Sequence, residues 1–167
     1  MSSELKSYED ENMILFSGKE NIYSQFYKCN FIIGTNIFNC CEQWMMYSKA
    51  IFFLDEETED KILKSSDPSE IKKLGRQVKH FEDDKWDLIK ENVIFKGNLE
   101  KFSQNPELKE KLLNSGNKLI VEASSWDSIY GSGFNVETTK EKILNKEKIG
   151  QNLLGKAIMR VRDELRK

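Results

Sequence analysis

The segment "FNCCEQWMMYSKAIFF", residues 38–53, constrains the fold more than any other stretch. It has helical periodicity, with Met45 and Met46 on one side and Trp44, Tyr47 and Ile51 on the other. A helix apolar on both sides must be enclosed by neighbouring elements. Two opposite charges interrupt it. Glu42 and Lys49 lie about 20° apart on the helical wheel and about 10.5 Å apart along the axis, on the face of the two methionines. That spacing is too long for an i,i+4 ion pair, and a buried, unpaired charge is costly. On residue types alone a solvated face leads, since charged residues are mostly exposed. The alternative is a cleft in which a carboxylate and an amine face one ligand. A desolvated lysine there has a lowered pKa and can act as a nucleophile.

The rest of the chain supplies short elements to cover this helix. "MILF" and "NFIIG" read as strands, with "GTN" as a turn into a hairpin. Asn39 is the expected cap of the central helix. "DEETEDKILKSS" is a helix with acids early and lysines late. Asp67-Pro68 to Gly75 and Asn105-Pro106 to Gly116 each combine a capping residue, proline at the first helical position and a glycine stop. Trp86, Ile89, Val93 (or Ile94) and Phe95 have helical spacing across residues 83–104. "KLIVEAS" is strand-like, and Leu154, Ile158, Val161 and Leu165 form one face of a C-terminal helix. The expected architecture is α+β: a compact, predominantly helical single domain over residues 13–167 with a small β-sheet, preceded by a loose segment, residues 1–12.

Charge and cysteine content narrow the function. The net charge of −2 gives no general basic field for nucleic acid, so any such contact is local. Three cysteines and a single histidine argue against a disulfide framework and against zinc, and point to reduced thiols in an intracellular compartment. No apolar run approaches the length of a membrane span, and the acidic N-terminus lacks the apolar core of a secretory signal. "EASSWDSIYGSGF" follows a strand, where loops commonly build pockets. There Asp127 stands between Trp126 and Tyr130, while Gly131 and Gly133 permit close backbone approach. A plain turn explains that loop equally well. Arg76, just past a helix C-terminus, suits a phosphate or the carbonyl end of its own helix.

Taken together, "FNCCEQWMMYSKA", "DPSEIKKLGRQVKHF", "NLEKFSQNPELKEKLLNSG", "LIVEASSWDSIYGSGF" and "GQNLLGKAIMRVRDEL" resemble, in order, the NADAR (YbiA-like) family over about residues 13–165. "YSQFY" is similar to that family's Ser-Asn-Phe segment. The resemblance implies an N-glycosidase that cleaves the bond between ribose C1 and the exocyclic amine of a guanine-like base. One branch of the family is associated with early intermediates of riboflavin synthesis. Another removes ADP-ribose from guanine in nucleic acid, and "EQWMMYSKA" looks more like this second branch.

The resemblance also implies site roles. Such a glycosylamine can open to an imine, and Lys49 would attack it to hold the sugar as a Schiff base, with Glu42 or Asp127 as general acid–base. Direct attack by water is the alternative mechanism. Arg76 would hold a phosphate. Ser24, Phe26, Trp86, Trp126 and Tyr130 would surround sugar and base, with Gly131 and Gly133 in the same loop. Glu122 and Asn152 would be polar ligands or supports behind them. No metal or cofactor is required. The partner would be ADP-ribosylated nucleic acid touched over a short stretch, or a small ribosylated metabolite. A module that reads ADP-ribose without cleaving it is the competing class. The chain departs from the family pattern at Gln25, Cys41 and Tyr130, and its loop after Gly133 is short. These departures bear on base specificity more than on reaction type.

Overall fold

The computed structural model describes residues 4–167. In chain order the elements are β1 (Ser7–Glu9), β2 (Met13–Phe16), β3 (Phe31–Ile33), β4 (Asn36–Phe38), α1 (Cys41–Phe52), α2 (Glu56–Lys64), α3 (Pro68–Gly75), α4 (Asp83–Asp87), α5 (Lys90–Gln104), α6 (Pro106–Asn114), β5 (Leu119–Glu122), α7 (Val136–Leu144) and α8 (Leu153–Leu165). This is the expected α+β architecture. The chain forms two compact units, Met1–Ser24 with Glu110–Lys167, and Gln25–Lys109.

The first unit is built on a three-stranded sheet of order β1-β2-β5. β2 pairs antiparallel with β1 and parallel with β5. All four residues of β2 are buried, as a central strand covered on both faces requires. Met13 and Leu15 pack with Val121, Ala123 and the first residue of α7, Val136. α8 lies against β5. It comes so close that a Cβ on Gly155 would overlap the carbonyl oxygen of Ile120.

The second unit encloses α1, which packs against α2, α3, α5 and β4. Two glycines make that approach possible: a Cβ on Gly75 would strike Met46, and one on Gly97 would strike Trp44. The hairpin β3–β4 turns at Gly34, whose φ is +63°, and its buried Phe31 and Phe38 stack at 5.9 Å and pack on Cys41.

Four local expectations change. Within the segment expected to be loose, residues 7–9 form β1; residues 1–3 lie outside the described residues. Asn39 does not cap α1. Cys40 occupies that position without a side-chain bond, and Gln43 Oε1 instead accepts from the Asn39 backbone N–H. The helical pattern over 83–104 is interrupted at Leu88 and Ile89. Trp86 and Ile94, on either side of the break, are both buried. Finally, α7 was not foreseen, because Val136, Thr138 and Thr139 weaken its helical propensity. Asn135 starts it by accepting from Thr138 N.

Replacing Gly155 with alanine forces α8 off β5. The expected loss is about 3 kcal/mol, measured by chemical denaturation, with Lys156→Ala on the exposed side of α8 as the near-neutral control.

Candidate active site

The face of α1 that carries the two charges is largely inside. Glu42 is 6% exposed, Met45 and Met46 are buried between the charges, and Lys49 is half-buried. Ile51, on the other side, is exposed, so the enclosure of α1 is most complete where its charges are. Burial pushes the Lys49 amine below its ordinary value. Glu42 and Asp83 counter that shift, and Arg76 adds to it. Among the described residues the amine makes no hydrogen bond and no ion pair. Its Nζ sits 4.2 Å from the centre of the Phe81 ring.

Neighbouring elements bring other expected residues toward α1. The backbone N–H of Glu42 donates to the carbonyl of Gln25 at 2.9 Å, which anchors the segment carrying half-buried Phe26. Arg76 ends α3, and its backbone N–H bonds to carbonyls of that helix. Its exposed guanidinium makes no hydrogen bond or ion pair among the described residues. Trp86 is buried in α4. Sequence inspection missed Phe81, Asp83 and Asp55. Asp55 Oδ1 accepts from Thr58 N at 3.1 Å and Oδ2 from Lys79 N at 2.9 Å. It thereby caps α2 and pins the segment leading to Phe81. Burial alone would raise its pKa, but these hydrogen bonds hold it below 3.8.

The remaining expected residues stand in the other unit, with Ser24 buried beside its boundary. The loop after β5 is laced to the start of α8. The backbone N–H groups of Gly150, Gln151, Asn152 and Leu153 donate to the carbonyls of Ser132, Ser128, Gly131 and Ile129. Close approach here requires Gly131, where a Cβ would lie 2.7 Å from the carbonyl oxygen of Glu122. Gly133 holds φ +81°. Asp127 Oδ1 accepts from Ile129 N and Tyr130 N at 2.9 and 2.8 Å, so this carboxylate shapes its own turn. Asn152 is 3% exposed, and its amide is committed to the backbone of β5. Oδ1 accepts from Glu122 N at 3.1 Å, and Nδ2 donates to Ile120 O at 3.0 Å. Of the two roles foreseen for Asn152, support is the one this geometry fits. Glu122 and Tyr130 are half-buried. Trp126 is 97% exposed, which does not fit a residue enclosing a ligand.

The buried cysteines are quiet. Burial pushes the Cys40 thiol up to about 11 and that of Cys41 to about 12, so both stay protonated and unreactive. Among the described residues no group of three His, Cys, Asp or Glu side chains could hold a metal, and no helix is long and apolar enough to cross a membrane.

Residues 15–166 match the model of the NADAR domain, and the chain belongs to that family. It is 38% identical over 167 residues to N-glycosidase R617 of Acanthamoeba polyphaga mimivirus, covering 93% of this chain and 98% of that one. It is 27% identical over 142 residues to the riboflavin biosynthesis protein VVA0006 of Vibrio vulnificus, covering 85% of this chain and 35% of that one. Its fold is that of the Escherichia coli protein YbiA, solved by NMR, with a TM-score of 0.76 over 97% of this chain and 89% of that one at 23% identity.

Because the folded pKa of Asp55 lies below its unfolded value, the stability it contributes is present above about pH 4 and is lost as pH falls through the folded value. Asp55→Ala should lower stability by about 1–2 kcal/mol at neutral pH, and the deficit should shrink in acid melts below pH 4.

Proposed function

We propose that the protein is an N-glycosidase that removes ADP-ribose from the exocyclic amine of guanine in nucleic acid, with Lys49 as nucleophile. The observation that carries this reading is the state of that amine: half-buried, shifted toward neutrality, and without a hydrogen-bonding carboxylate. The name of the mimivirus relative supports the reaction class.

The chemistry follows from the bond. An N-glycosidic bond to an exocyclic amine can open to an imine at ribose C1. The neutral Lys49 amine adds to C1, and proton transfer between the two nitrogens lets the base leave as its free amine. The sugar remains as a Schiff base, which water hydrolyses to regenerate Lys49. Glu42 is the favoured proton carrier: it lies on the same helix face as Lys49 and is nearly buried. Arg76 offers a guanidinium to a phosphate. Within the same unit, Phe26 and Trp86 supply aromatic surface for sugar and base.

Exposed Trp126 favours nucleic acid over a free metabolite. A tryptophan projecting into water can stack on a neighbouring base of a strand, worth about 1–3 kcal/mol. The net charge of −2 limits the contact to a few nucleotides. The second substrate reading, a ribosylated intermediate of riboflavin synthesis, is supported by the name of the Vibrio relative.

Lys49→Arg should lower turnover of ADP-ribosylated guanine DNA by at least about 1,000-fold. Borohydride added during turnover should attach the sugar to Lys49, detected by peptide mass spectrometry. An active Lys49→Arg enzyme with no adduct would establish direct attack by water. Separately, Trp126→Ala should raise KM for a modified oligonucleotide about tenfold and leave that for the modified mononucleotide unchanged. Equal effects on both would remove the argument for a strand.

A further inference from the structure

We propose that Phe81 is the positioning residue for Lys49: its ring face, in place of a carboxylate, holds the amine where it attacks the sugar. This rests on Lys49 being the nucleophile.

A half-buried lysine usually finds a carboxylate. Here no such bond forms among the described residues, and the amine stands 4.2 Å from the Phe81 centroid. The ring is braced from behind. It meets Phe53 edge-on at 5.2 Å, and Phe53 meets Phe52 in the same manner at 5.0 Å. The backbone delivers it by a defined path. Lys79 N is tied to Asp55 at 2.9 Å, and His80 then takes φ +63°, a left-handed conformation unusual for a residue with a side chain. Phe81 therefore arrives at the end of a segment fixed on one side by a carboxylate and on the other by an aromatic stack.

The choice of partner matters for the reaction. A carboxylate would bond directly to the ammonium and hold its protons, so attack would first require that pair to break. A ring face attracts the ammonium more weakly and does not tie its protons to a single acceptor atom. The amine is therefore confined in space while its lone pair can still be released. The charged groups that reach it are Glu42 on its own helix, Asp83 at the start of α4 and Arg76 at the end of α3. The two carboxylates favour the ammonium and Arg76 opposes it, so Phe81 fixes position while these groups bias protonation. Asp83 thus also bears on when the amine is released.

The test compares Phe81→Leu, which keeps apolar bulk and removes the ring, with Phe81→Tyr, which keeps the ring. Phe81→Leu should lower kcat about 10- to 100-fold with KM within about twofold of wild type, the signature of a misplaced reacting group. Phe81→Tyr should recover most of that loss. Equal kcat in wild type and Phe81→Leu, or no recovery with Phe81→Tyr, overturns the proposal.

A second readout needs no turnover. The protein is dimethylated at lysine with labelled formaldehyde, and the Lys49 methyl signal is assigned by its loss in Lys49→Arg. In wild type that signal should be displaced upfield by the ring current; an undisplaced signal overturns the proposal even if Phe81→Leu fails to fold. If the signal is displaced but Lys49→Arg remains active, the nucleophile reading fails while the contact stands.

Discussion

The constraint on which the rest of the second unit depends is the enclosure of α1. This helix of 12 residues is approached by three others and a hairpin, closely enough that two facing positions must lack a Cβ. Gly75 admits Met46, and Gly97 admits Trp44. The resulting burial is what desolvates the Glu42 and Lys49 face. A helix packed more loosely would leave Lys49 in water with an ordinary ammonium. Packing and chemistry are linked on that face: Gly75 lets α3 close on Met46, which lies between the two charges.

Much of this could be read in the sequence because it is written in local terms. Asp67-Pro68 and the following helix are set by a cap and a fixed φ, and they occur as expected. The sheet strands of "MILF" and "LIVE" are short apolar runs between polar segments, and both form. The failures have physical reasons of another kind. The break at Leu88 and Ile89 carries no local mark, since neither glycine nor proline stands there. The loss of the Asn39 cap depends on its amide donating instead to Ser65 O, at 3.3 Å. β1 has only one apolar residue, Tyr8, and exists because β2 offers it an edge.

The site divides in the same way. Glu42 and Lys49 attracted attention because charge in an apolar helix is a local anomaly. Arg76 did so because few arginines occur away from the C-terminus. Phe81 carried no comparable signal: one aromatic residue in a polar turn is unremarkable until the fold sets it against Lys49. Asn152 shows the converse. Its motif context left contact with a ligand and a supporting role both open, and both ends of its amide are used by β5. Residue type reveals that a polar group matters, but only the folded backbone reveals to what it is bound.

That same amide has a consequence for how the sheet ends. β5 is an outer strand, and outer strands expose donors and acceptors that invite pairing with another chain. Here the N–H of Glu122 is taken by Asn152 Oδ1, the carbonyl of Glu122 by Ser132 N, and the carbonyl of Ile120 by Asn152 Nδ2. Asn152 holds a left-handed backbone, φ 51°, a conformation that asparagine tolerates better than most residues. One side chain and one loop amide thus do the work of a fourth strand. Sheet growth stops on that side, and a second copy of the protein finds no open template there to extend.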